Sequence, residues 1–166
     1  INFVYYYLKL EFPIFLCTAI IFFGFTTNIY LQFKIKGNQI KDFYASLFLI
    51  YDLLQLSLLL YFTGGISNPF SILLIVPAIV SSTFLSMGTT LILGVLSILF
   101  LFLLTIFHYP LPGLHEYGIT FPKFYLVGFF MAILIGLIFL SYFGIRFAGE
   151  TKKRTDAGTK LQQGIA

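Results

Sequence analysis

The sequence predicts an all-α membrane protein, a bundle of five complete transmembrane helices plus a truncated first helix. Three observations predict it. Of its 166 residues 59% are hydrophobic and only 10% charged, and the mean hydropathy is +0.98; soluble domains carry about 25% charged residues. The apolar residues fall into runs of about 20, the length an α-helix needs to cross the hydrocarbon core. Within lipid, backbone N–H and C=O groups must be satisfied internally, so such runs are helices. Finally, the few Lys and Arg residues gather between the runs and after the last one, where they report topology.

Residues 1–10 read as the remnant of a first span, ending near Lys9 and Glu11. The chain opens Ile-Asn-Phe with no basic n-region or cleavage site, so no signal peptide is expected. Pro13 suits the first turn of the next helix, which runs to about Phe33, before a polar stretch from Lys34 to Asp42. A third span covers about 43–62, followed by the loop 63–68. A fourth runs from Pro69 to about Leu85, Ser86–Thr89 makes a tight turn, and a fifth covers about 89–108. A Pro/Gly-rich loop, HYPLPGLHEYGITFPK, leads to the last helix at about 124–146. The expected division is a transmembrane domain over 1–146 and the start of a cytoplasmic linker over 147–166.

The basic residues set the orientation. With Lys34, Lys36, Lys41 and the tail (Arg146, Lys152, Lys153, Arg154, Lys160) in the cytoplasm, eight of the ten Lys and Arg lie inside. The loops at 63–68 and 109–123 then face outward. A net charge of +4 distributed in this way is no nucleic-acid signal, and no nucleic-acid partner is expected. No Gly-rich phosphate loop, metal-ligand cluster or nucleophile with a plausible base is present, so the expectation is no catalytic residue and no metal. Cys17 sits in an apolar run as a small buried hydrophobe.

The most informative segment is Gly64-Gly65-Ile66-Ser67-Asn68-Pro69-Phe70. One reading is a well-made helical hairpin. A glycine ends the third span in the left-handed conformation, Asn68 caps the next helix and Pro69 takes its first position. The other is a ligand loop, with glycine N–H groups and the Asn68 amide offered to a carbonyl and Phe70 to a ring. Asp52 lies near the middle of the third span with Gln55 three residues on, on the same face. An intramembrane carboxyl either ties helices together or marks a proton or ligand site. On the second view the chain is a small transporter or membrane-assembly component using Asp52. The last helix carries Gly128, Ala132 and Gly136 at intervals of four, a ridge for packing in the bundle or for a homodimer seam. His108 and His115 bracket the Pro-rich loop without further ligands at metal spacing.

The run YDLLQLSLLLYFTGGISNPFSILLIVPAIVSSTFL, residues 51–85, resembles the membrane domain of the RegB/PrrB/ActS family of redox-sensing histidine kinases. The G-G-x-x-N-P-F heptapeptide follows a D-x-L-Q-L helix here (Asp52, Leu54, Gln55, Leu56), and the likeness continues through FHYPLP at 107–112 and the last span. The resemblance implies a six-span sensor in the bacterial inner membrane that binds ubiquinone through Gly64, Gly65, Asn68, Pro69 and Phe70. It also implies a homodimer whose last span passes the signal to a cytoplasmic kinase region, a protein-histidine phosphotransferase acting on a response regulator. The phosphoacceptor His and ATP-binding motif of that region are not found in this chain, which reads as a fragment. Gly149, Gly158 and Gly164 each cost about 1 kcal/mol relative to Ala in a helix and weigh against a continuous helix through the tail.

Overall fold

The structure is a computed structural model that describes residues 13–34, 42–110 and 121–165. The expected first-span remnant, most of the Pro/Gly-rich loop and His115 lie outside the described residues.

Helix α1 spans Ile14–Lys34. Pro13 stands just before it, and its carbonyl accepts the Cys17 N–H at 3.0 Å, so the missing proline donor costs the helix nothing. Helix α2 spans Asp42–Phe62, with the Asp42 carboxylate in its first turn, where the helix dipole favours negative charge. The chain then turns through a short 3₁₀ element, Gly65–Ser67. A seven-residue 3₁₀ segment, Pro69–Ile75, leads directly into α3, Val76–Phe84. Helix α4 spans Met87–Ile106, and the Ser86 side chain caps it by accepting from the Thr89 N–H at 3.3 Å. Helix α5 spans Lys123–Ile165.

Among the described residues four helices (α1, α2, α4 and α5) are long and apolar enough to cross a membrane, which supports an all-α multi-span protein. The fourth expected span is different: Pro69–Phe84 is shorter and compound. Pro77 explains the break. It has no N–H for the Leu73 carbonyl, and its ring crowds that carbonyl in α geometry. The Leu73 carbonyl instead accepts from Val76 N–H in 3₁₀ fashion. One turn of helix is thereby tightened, and the Leu74 carbonyl accepts the Ser97 hydroxyl of α4 at 2.9 Å. Neighbouring Ser and Thr side chains satisfy backbone groups around prolines in just this way within lipid.

The last helix also departs from expectation. It does not end near residue 146 but continues as one helix to Ile165, through Gly149, Gly158 and Gly164. Three glycine penalties of about 1 kcal/mol each do not interrupt a helix that is already nucleated by a membrane span.

Helix α3 lies at the centre, packed on α2, α4 and α5, with α3 against α5 the most extensive contact. The core joins Leu53 and Leu60 of α2, Leu74 of the 3₁₀ segment, Ala78 of α3 and Leu93 and Leu101 of α4 to Ile133 and Leu137 of α5. Buried hydroxyls stitch these elements: Ser81 to Thr90 at 2.9 Å and, in a less buried position, Ser46 to Thr89 at 3.1 Å. Helices α3 and α5 approach closely at Gly144, where a Cβ would overlap the Ser82 side chain. Among the described residues the glycines of the small-residue ridge take no part in this packing. A Cβ on Gly128 or Gly136 would meet nothing within 4 Å, and Gly128 and Ala132 are exposed.

Gly144→Leu is expected to pry α3 from α5 and cost about 1–3 kcal/mol, whereas Ser97→Ala should cost about 0.6 kcal/mol, the mean for such bonds in membranes. Unfolding of the reconstituted bundle by SDS titration reads both; equal stability of Gly144→Leu and wild type would contradict the packing described.

Candidate functional site

The segment 64–70 is built from the end of α2. Gly64 has φ 103° and Gly65 φ 54°, both in the left-handed region that glycine enters without a Cβ penalty. The turn closes with Ser67 N–H to the Gly64 carbonyl at 3.0 Å and Asn68 N–H to the Gly65 carbonyl at 3.2 Å. Asn68 then works in both directions. Its Oδ1 accepts from Phe70 N–H at 2.9 Å, which caps the following 3₁₀ segment as expected. Its Nδ2 donates back to the Thr63 carbonyl at 3.0 Å and to Thr63 Oγ1 at 2.8 Å. Both amide hydrogens are therefore spent on fixing the loop. Gly64, Gly65 and Ile66 are buried, whereas Phe70 is 64% exposed, its ring presented at the surface of the bundle.

Gly65 rests on the end of α4. A Cβ there would lie 2.5 Å from the His108 Cβ and 2.6 Å from the Leu104 carbonyl oxygen, so only glycine fits. The next residue of that segment, Tyr109, donates its N–H to the Tyr61 carbonyl at 2.9 Å, tying α2 and α4 together below the loop. The rings of Tyr61, Phe62 and Tyr109 gather there with centroids 5.2–6.2 Å apart. His108 Nδ1 is buried and has no hydrogen-bond partner among the described residues. Sequence reading placed His108 only at the border of the Pro-rich loop; the signal that it belongs beneath Gly65 is the glycine pair itself, which needs a close neighbour.

Beside the loop lies a cleft of about 770 Å³. It exists because α1 and α4 both pack on α2 but not on one another. One wall is Ala19, Ile20 and Phe23 of α1, and the floor is the α2 face bearing Tyr51, Leu54, Leu58 and Tyr61. The opposite wall is Phe100, Leu103 and Leu104 of α4 with Phe107 just beyond its end. Gln55 also lines it and donates Nε2 to the Ile20 carbonyl at 3.1 Å. Its carboxamide occupies the place a side chain at Gly24 would take. Asp52 and Gln55, three residues apart on one face of α2, have different surroundings. Gln55 faces α1 and the cleft, and Asp52, half-buried, is not among the cleft residues. Cys17 is buried, as its apolar setting suggests.

The described residues thus form a multi-span helical membrane domain with an Asn-clamped glycine turn at one end. The chain belongs to the family of PilS-like transmembrane domains, whose family model matches residues 6–154. The sensor histidine kinase RegB of Cereibacter sphaeroides is 35% identical over 161 residues, an alignment covering 96% of this chain and 35% of RegB. The resemblance read from residues 51–85 is thus shown over nearly the whole chain, which spans about a third of the length of that relative. No solved structure matches.

Gly65→Ala is expected to destabilise the bundle by at least the 1–2 kcal/mol (roughly) of a left-handed non-glycine residue, with further loss from the overlap at His108. Asn68→Asp keeps the acceptor for Phe70 N–H but loses both donations to Thr63, and should fall between wild type and Asn68→Ala. The same SDS unfolding series ranks the three; Gly65→Ala at wild-type stability would contradict the close approach.

Proposed function

We propose that this chain is the membrane sensor module of a histidine kinase, and that it senses respiratory redox state by binding ubiquinone at the Gly64–Phe70 loop. The observation that carries the first part is the 35% identity to a sensor histidine kinase over almost the entire chain. The second part draws support from the loop's construction. Phe70 offers an exposed ring on a backbone locked by Asn68, suited to stack on a planar ligand. Among the described residues His108 Nδ1 is an unspent hydrogen-bonding group at the same turn, and buried polar atoms without partners are uncommon in folded proteins. A neutral imidazole can donate to a quinone carbonyl or accept from a quinol hydroxyl according to its tautomer.

In this reading the loop faces the periplasm and the basic end of α5 the cytoplasm of a bacterial inner membrane. The route to the far end is the chain itself: loop, 3₁₀ segment, α3, then α5 at Ser82 and Gly144. The Gly128–Ala132–Gly136 ridge, exposed at Gly128 and Ala132, pairs two copies of α5. Kinase chemistry and the response regulator belong to a region outside this chain.

Ligand can bias the packing of α5 only if it binds the alternative arrangements unequally. Oxidised and reduced ubiquinone should therefore bind the chain in nanodiscs with different affinities, and Phe70→Ala should bring the two together. Equal binding of both redox forms by wild type, or no binding, would overturn the proposal.

A further inference from the structure

We infer that the cleft between α1, α2 and α4 is the slot for the prenyl tail of the ligand whose ring meets the loop, an inference that rests on the quinone reading above. Continuity carries it. Tyr61, Leu104 and Phe107 line the cleft. The Tyr61 carbonyl holds Tyr109, the Leu104 carbonyl supports Gly65, and Phe107 immediately precedes His108. The mouth of the cleft and the foundation of the loop are therefore the same residues. From Tyr61 the cleft follows α2 to Tyr51, ten residues or about 15 Å along the helix. Its volume of about 770 Å³ is within the range of small-molecule sites.

The chemistry of the walls suits a hydrocarbon chain and not a polar head. Ser57 Oγ donates to its own helix at the Leu53 carbonyl, 2.7 Å away, and Gln55 Nε2 to the Ile20 carbonyl. The Tyr51 hydroxyl lies 3.5 Å from Thr27 Oγ1. What remains facing the cleft is leucine, isoleucine and aromatic surface. Hydrocarbon gains no hydrophobic free energy by leaving lipid for such a slot, because lipid tails are as apolar as leucine. The slot acts by shape: it holds the tail in one direction and so orients the ring at the loop, the preorganisation that raises affinity without new polar contacts.

The test compares ubiquinone-1, with one isoprene unit, and ubiquinone-10 on the chain in nanodiscs, with concentrations expressed per lipid. Wild type should favour ubiquinone-10 by about tenfold, equivalent to 1.4 kcal/mol. Leu58→Trp and, separately, Leu103→Trp fill the cleft from its floor and from its α4 wall. Both positions are partly exposed, which makes the larger side chains tolerable to the fold. Each should abolish the preference for ubiquinone-10 while leaving ubiquinone-1 binding unchanged, and that retained binding certifies the fold. Equal affinity of wild type for the two quinones, or an undiminished preference in both variants, overturns the tail slot and leaves the loop reading standing. Binding of neither quinone by wild type overturns the loop reading, and the slot with it. Labelling of the cleft by a photoreactive phospholipid that ubiquinone-10 does not displace assigns the slot to bulk lipid and overturns the proposal.

Discussion

At Gly65 the backbone comes so close to the end of α4 that the Leu104 carbonyl and His108 fill the space a Cβ would need. That approach sets the separation of α2 and α4 at this end of the bundle, because the Tyr61–Tyr109 bond closes immediately below it. With α2 and α4 fixed there, α1, held to α2 by Gln55, cannot also reach α4, and a cleft is left between them. The same turn aims the chain into the 3₁₀ segment through Asn68. The cleft, the exposed Phe70 ring and the start of α3 are consequences of one short contact that only glycine permits.

The central element obeys a second constraint, the need to satisfy backbone polar groups away from water. Pro77 deprives the Leu73 carbonyl of its α-helical donor, the 3₁₀ geometry supplies the Val76 N–H instead, and the neighbouring Leu74 carbonyl accepts the Ser97 hydroxyl. The buried hydroxyls around α3 are in this sense part of the helix–helix contacts rather than departures from an apolar core. They let a short, proline-interrupted segment sit in the middle of the bundle, where α2, α4 and α5 surround it.

Much of this was legible in the residues. Hydropathy alone placed α1, α2, α4 and the membrane part of α5, because runs of about 20 apolar residues have no other use. The Asn68 cap and Pro69 start were also readable, since both follow from local chemistry. Three features were not. The compound nature of 69–84 depends on Pro77 sitting near the middle of an apolar run, where composition still reads as a span. The persistence of α5 through three glycines depends on propagation from a long nucleated helix, which per-residue propensities do not capture. The partner of Gln55 was the third: its three-residue spacing from Asp52 says nothing of the Ile20 carbonyl of α1 that its Nε2 meets.

The 43-residue continuity of α5 gives the protein a lever. From its close contact at Gly144, the helix extends 21 residues to Ile165, about 30 Å at 1.5 Å per residue. A tilt of about 10° pivoting at Gly144 would sweep the far end through about 5 Å. A small repacking of α3 thus becomes a displacement comparable to the width of a side chain, without any change in the helix itself. The glycines along it set how stiff that arm is, and its stiffness decides how much of the sweep arrives.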